Sequence, residues 1–224
     1  MLDRLASAIY NNVTSGLGTP NFPLTLEQIQ DSIISERLML INNLSKQNLL
    51  NPNDLAMSIS CLDVDCKSLS KCCDSNFADI DTVRHVEIPQ VVNDYGEKGI
   101  IFIGSADGRY PYTIYRDSSW KYHELRGRSK SRRMKPYVWL DTTPNENNMN
   151  DVFIFNAPMI QAIKVVAIFK DPRQLEQYQC CNSEEIYNFN SLEKQIEKNL
   201  SYQYIDYYRK LIMPITPNDQ KVNK

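Results

Sequence analysis

Apolar residues along the first part of the chain recur at intervals of three and four, the spacing that lines one face of an α-helix. Leu2, Leu5, Ile9 and Val13 mark a short helix that ends at the breaker Gly16-Leu17-Gly18-Thr19-Pro20. Thr25, followed three residues later by Gln28, makes a capping box, and Leu26, Ile29, Ile33, Leu40 and Leu44 then carry a longer helix to about Lys46. A third, short helix is expected from Asn53 to Ile59, with Asn53 as its cap.

From about Val83 to Phe169 the pattern changes to short runs of β-branched and aromatic residues separated by turn residues, which is the signature of strands. The expected strands are Arg84 to Ile88, Gly99 to Ile103, Tyr112 to Tyr115, Tyr137 to Leu140, Val152 to Phe155 and Ile163 to Phe169. The last is the most apolar and is expected to be central, and Asp107-Gly108 signals a tight turn. After the Asp171-Pro172 break, Leu192, Ile196, Leu200, Tyr204, Tyr207 or Tyr208, and Leu211 form a helical stripe over about Ser191 to Met213, which Pro214 ends.

The expected fold class is therefore α+β, a central antiparallel β domain of sandwich or barrel-like form with N-terminal helices, a long C-terminal helix and an extended tail. The division is residues 1–60 as an N-terminal helical region, 61–82 as a Cys-containing connecting loop and 83–170 as the β domain. A C-terminal helical region follows over 171–213, and the polar tail 214–224 is extended or disordered.

Charge changes this picture in one place. Arg126, Arg128, Lys130, Arg132, Arg133 and Lys135 fall within ten residues of a chain that has 25 Lys and Arg against 27 Asp and Glu. Without those six cations the remaining 19 face 27 acidic residues, a net charge of -8. A local spike of positive charge between strands predicts a protruding loop, 126–135, that meets phosphate or an acidic protein surface. Such a contact neutralises phosphates without reading sequence, so it is non-specific and salt-dependent. The structural alternative is a solvated hairpin loop with no partner. Trp120, Tyr122, Tyr137 and Trp139 flank the run; their strand spacing favours core positions over base stacking.

Composition narrows the chemistry further. With 42% hydrophobic residues the chain has material for a core, and with 7 glycines and 2 histidines it has little for phosphate-gripping loops or proton shuttles. No run approaches the length of a membrane span, and Met1-Leu2-Asp3-Arg4 does not open a secretory signal, so an intracellular soluble protein without membrane partners is expected. The sequons at Asn12, Asn43 and Asn199 then carry no meaning, because glycosylation requires a secretory route.

Cys61, Cys66, Cys72 and Cys73, then Cys180 and Cys181, do not show the paired two-residue spacing of zinc ligands, and reduced, partly buried thiols are expected. Asp63, Asp65, Asp79 and Asp81 form a loose acidic cluster without EF-hand spacing. His85 and His123 stand in no recognisable catalytic motif. A hydrolase built on the β domain is the least favoured function, and no catalytic residue, cofactor or metal is assigned.

Tyr202, Tyr204, Tyr207 and Tyr208 spread over more than half the circumference of the C-terminal helix, so some of these rings must be exposed in a monomer. They are candidate subunit-interface residues, since tyrosine buries area while its hydroxyl finds a partner. The alternative is a helix packed on two sides by its own domain.

Three stretches carry a family resemblance. The opening Leu2-Asp3-Arg4-Leu5-Ala6-Ser7-Ala8-Ile9-Tyr10-Asn11-Asn12-Val13, followed by Phe22-Pro23-Leu24-Thr25-Leu26-Glu27-Gln28, resembles small virion structural proteins of crAss-like bacteriophages. The block Asn150-Asp151-Val152-Phe153-Ile154-Phe155-Asn156 and the closing helix leading into Pro214-Ile215-Thr216-Pro217-Asn218-Asp219-Gln220 are similar to the same family. The resemblance implies a head-to-tail connector or tail-ring subunit in the virion, without catalysis. Its implied partners are copies of itself in a twelve-fold ring, the portal protein, neighbouring tail or ring proteins, and viral DNA in a central channel. The runner-up is a non-specific nucleic-acid-binding module that uses loop 126–135.

Overall fold

In the computed structural model, which describes residues 2–17, 23–49, 51–67, 83–92, 99–115, 135–157, 159–178 and 192–212, the apolar stripes at the two ends of the chain belong to one helical unit. It comprises Met1–Leu49 with Phe189–Lys224, and a second unit comprises Leu50–Asn188. The 1–60 and 61–82 boundaries expected from the sequence are thus moved: strand residues begin at Met57 and belong to the second unit.

In the helical unit, α1 (Leu2–Leu17) packs against both α2 (Leu26–Lys46) and α3 (Glu193–Ile212). Its whole expected stripe, Leu2, Leu5, Ile9 and Val13, is buried, and faces Ile29, Ile33, Leu40 and Ile41 of α2 and Ile196 and Leu200 of α3 among the buried residues. Each such side chain removed from water contributes about 1.5–3 kcal/mol. The capping box forms as the sequence predicts: Gln28 N donates to Thr25 Oγ1, and Thr25 N donates to the Gln28 side chain. Leu26 departs from the expected stripe and lies exposed in the first turn, ahead of the first buried position, Ile29. Polar ties close the rim, among them Arg4 to Glu193 at 2.7 Å, Asn12 to Glu197 at 2.8 Å and Asn199 to Glu36 at 2.8 Å.

The helix expected over Asn53–Ile59 does not form. A single tight turn, Pro52–Asp54, is capped by the Asn51 side chain, and β1 (Met57–Asp63) follows. Met57 and Ile59 are buried while Ser58 and Ser60 are exposed, so the two-residue alternation prevails over helical spacing once Met57 and Ile59 have a sheet to pack on. The remaining strands are β2 (Asp65–Lys67), β3 (Val83–Pro89), β4 (Ile100–Ser105), β5 (Thr113–Tyr115), β6 (Tyr137–Asp141), β7 (Met149–Phe155) and β8 (Ala162–Ala167).

They form a three-stranded sheet, β1-β8-β4, and a five-stranded sheet, β2-β3-β7-β6-β5. The strand expected to be central, β8, is central in the first sheet. The α+β class holds, and among the described residues every strand pairing is antiparallel except β5 with β6, which is parallel, so the sheet domain is mixed where a purely antiparallel one was expected. A parallel pair needs a crossover of about a dozen or more residues, and the separation of β5 from β6 in the sequence, residues 116–136, is long enough to allow one. Val86, Ile88, Val138, Leu140, Val152 and Ile154 of the larger sheet and Ile59, Ile103, Ile163 and Val165 of the smaller share one buried core. That is sandwich packing, with β3 and β7 each turning alternate residues inward.

The Asp107-Gly108 turn forms. Gly108 sits at φ 74°, a left-handed conformation that glycine adopts without strain, and its N–H donates to Ser105 O at 2.8 Å. The Asp107 carboxyl is held below its ordinary pKa by the Ser105 hydroxyl and then by the Arg109 backbone N–H. After β8, a stretch of 3-10 helix spans Pro172–Tyr178, at the start of the region 171–213 expected to be helical and ahead of its apolar stripe.

Candidate functional site

Alternation decides which chemistry the larger sheet shows on its outer face. With Val86 and Ile88 turned inward, Val83, His85 and Glu87 of β3 point outward, as do Asp151, Phe153 and Phe155 of β7 and Tyr137, Trp139 and Asp141 of β6. Register then sorts them into rows: Trp139 pairs with Phe153 and Phe153 with His85, while Asp141 pairs with Asp151 and Asp151 with Glu87.

The first row and its neighbour are an aromatic layer. Trp139 stacks on Phe153 with centroids 4.9 Å apart, Tyr137 stacks on Phe155 at 4.8 Å, Tyr115 meets Tyr137 edge-on at 5.7 Å, and the His85 ring lies 5.1 Å from Phe153. Tyr137 and Trp139 are therefore packed against their own sheet, as their strand spacing predicts, while Trp120 and Tyr122 lie outside the described residues.

The second row is acidic and meets the histidine. His85 Nε2 lies 2.6 Å from Asp151 Oδ1, and one ligand atom from each of His85, Glu87 and Asp151 falls within 4.8 Å of the others. This group could hold a metal ion, and it is the feature that the sequence motifs missed. The available signal was His85-Val86-Glu87, which alternation puts on one face of a strand; what was lacking was the register that sets Asp151 opposite Glu87.

The residues picked out from the sequence are distributed elsewhere. Arg126, Arg128, Lys130, Arg132 and Arg133 lie outside the described residues, and Lys135 is exposed two residues before β6. On α3 the four tyrosines divide. Tyr202 and Tyr207 are 65% and 57% exposed, whereas Tyr204 donates its hydroxyl to Ser32 Oγ at 2.6 Å and Tyr208 is half-buried, edge-on to Tyr207 at 5.1 Å. Burial, with Tyr207 and Tyr204 nearby, pushes the Tyr208 phenol above its ordinary pKa. Beside Tyr202 an open groove runs between α1 and α3, lined by Asn12, Lys198, Ser201 and Ile205 among others.

Cys61 and Cys66 are exposed free thiols, which corrects the expectation of partly buried ones: Cys61 stands at φ 57° within the register shift of β1, where alternation fails, and Cys66 lies on the short β2 at the sheet edge. The other four cysteines lie outside the described residues. Asp63 and Asp65 are exposed, while Asp79 and Asp81 lie outside, as does His123. Among the described residues no helix is long and apolar enough to cross a membrane. Set against known proteins, the chain matches no protein-family model and no curated sequence.

Proposed function

We propose that this protein is a structural subunit of a phage virion, one of the ring-forming proteins of the head-to-tail connector or tail of a crAss-like bacteriophage. It acts by packing laterally against copies of itself and by stacking between portal and tail so that DNA passes through the central channel. The resemblance of the opening, middle and closing stretches motivates this reading. The observation that carries it is the exposure of Tyr202 and Tyr207 on a helix whose other face is already satisfied by its own unit. Large aromatic rings left in water, Tyr202 of them at the rim of a groove, favour a protein contact, because a ring buries apolar area and its hydroxyl still finds a partner. A ring of identical subunits forms when such a surface meets a different patch on the next copy, head to tail, with a rotation that closes. The basic run 126–135 gives the subunit a place to meet DNA in the channel or an acidic ring above or below.

Light scattering on the purified protein at two salt concentrations, with and without duplex DNA, tests the proposal. A ring, or a monomer that becomes one only with a portal-like partner and ignores DNA, supports it. A monomer that binds DNA with an affinity falling steeply as salt rises replaces it with the nucleic-acid module.

A further inference from the structure

We propose that His85, Glu87 and Asp151 form a binding site for one first-row divalent metal ion of the zinc type. Strand geometry builds the site. His85 and Glu87 stand two residues apart on the outer face of β3, and Asp151 of β7 is the register partner of Glu87. Their ligand atoms already lie within 4.8 Å of one another, on two strands fixed by a ladder of six paired residues from Arg84↔Ile154 to Pro89↔Met149.

The histidine sets this group apart from an ordinary acidic surface. The residue is 8% exposed, its ring is held against Phe153, and its Nε2 is directed into the carboxylates at 2.6 Å from Asp151 Oδ1. A contact of that length is bridged by a proton. Two ligands of one ion with bonds of about 2.0–2.2 Å stand roughly 3 Å apart, so a small rotation of the Asp151 carboxylate exchanges the bridging proton for a metal.

The carboxylates are themselves positioned. Asn147 Nδ2 donates to Glu87 Oε2 at 3.2 Å, and Asn145 Nδ2 lies 3.5 Å from Asp151 Oδ1. Both asparagines belong to the turn between β6 and β7, where Asn145 Oδ1 accepts from the backbone N–H of Asn147 and of Met149, each at 3.0 Å. Amides that orient ligating carboxylates are the outer shell that metal sites require. Asp141, in register with Asp151, adds a third carboxylate to the row and deepens the local negative potential.

The donor set chooses the metal class. Calcium and magnesium favour oxygen alone, whereas one imidazole nitrogen with two carboxylates suits zinc and its first-row neighbours. A bound ion joins β3 to β7 by side chains as well as by backbone, so it should raise the melting temperature of the β unit.

Zinc titration of chelator-treated full-length protein, followed by calorimetry, tests the site. The thiols must first be alkylated, because Cys61 and Cys66 are exposed and would bind zinc themselves. One equivalent per chain is expected, with calcium giving no signal at the same concentrations. Glu87→Gln and His85→Asn should each weaken binding by about 100-fold, and Asn147→Ala by roughly 10-fold, the scale of an outer-shell loss. Glu87 is only partly buried and Gln keeps its size and shape, so its variant should keep the wild-type circular dichroism. Absence of stoichiometric zinc binding by the alkylated protein, or binding that persists undiminished in both Glu87→Gln and His85→Asn, overturns the proposal.

Discussion

Two aromatic surfaces of this protein have similar composition and opposite fates. On the outer face of the larger sheet, Tyr115, Tyr137, Trp139, Phe153 and Phe155 stack on one another across three strands, and Tyr137, Phe153 and Phe155 are buried. On α3, Tyr202 and Tyr207 stay in water although their neighbours Tyr204 and Tyr208 turn inward. The difference lies in periodicity. Alternation on adjacent strands brings every second ring to the same face at cross-strand distance, so the rings cover one another. Helical rotation of about 100° per residue spreads four tyrosines in seven positions around the axis, beyond what α1 and α2 can cover. Aromatic residues therefore stabilise the sheet and remain available on the helix.

The sharpest way to break this comparison is to remove one ring from each surface. Phe153→Ala, which takes a ring from between Trp139 and His85, should lower unfolding free energy by about 3–5 kcal/mol in a urea titration followed by circular dichroism. If it costs no more than a surface change, the stacked layer is not what holds the outer face. A smaller loss, about 1 kcal/mol within a range of about 0.5–2, is expected for Thr25→Ala, which deletes the side-chain acceptor of the α2 capping box.

Tyr202→Ser combined with Tyr207→Ser should change monomer stability by no more than about 0.5 kcal/mol per site, since these rings are largely exposed. The same pair should abolish the proposed ring assembly in light scattering, and a double variant that forms rings would remove α3 from the proposed interface. The smallest effect is alkaline. Burial, and then the Glu87 carboxylate, raise the Tyr178 phenol above its ordinary pKa, so the folded state favours the neutral ring. That contribution is fully present below the unfolded value of about 10 and is lost as pH rises through the higher folded value. Tyr178→Phe should flatten the fall in melting temperature above about pH 10, because it cannot ionise.

Much of the fold was legible in the residues. The Leu2, Leu5, Ile9, Val13 stripe, the Thr25 and Gln28 cap and the apolar run of β8 are local patterns, each readable within one element. The stretch 52–67 was not, because Met57 and Ile59 suit a helix or a strand until β8 is there to pair with them at Ala167 and Val165. Propensity in so short a segment is weaker than the packing that overrides it. The candidate site divides in the same way. The basic run and the tyrosines are visible as composition, while His85, Glu87 and Asp151 look unrelated in sequence, more than 60 positions separating His85 from Asp151.

By itself, then, the chain order determined the three long helices, most strands, the α2 cap, the Asp107-Gly108 turn and the placing of charge in one short run. These depend on neighbours a few residues apart, where spacing alone says which side chains share a face. Only the tertiary structure decided that 57–67 joins the sheets, that β5 runs parallel to β6, which tyrosines remain exposed, and that a histidine and two carboxylates converge. Those outcomes depend on register between strands and on which helix faces are covered, and both are set by the summed burial of distant segments, which no local pattern records.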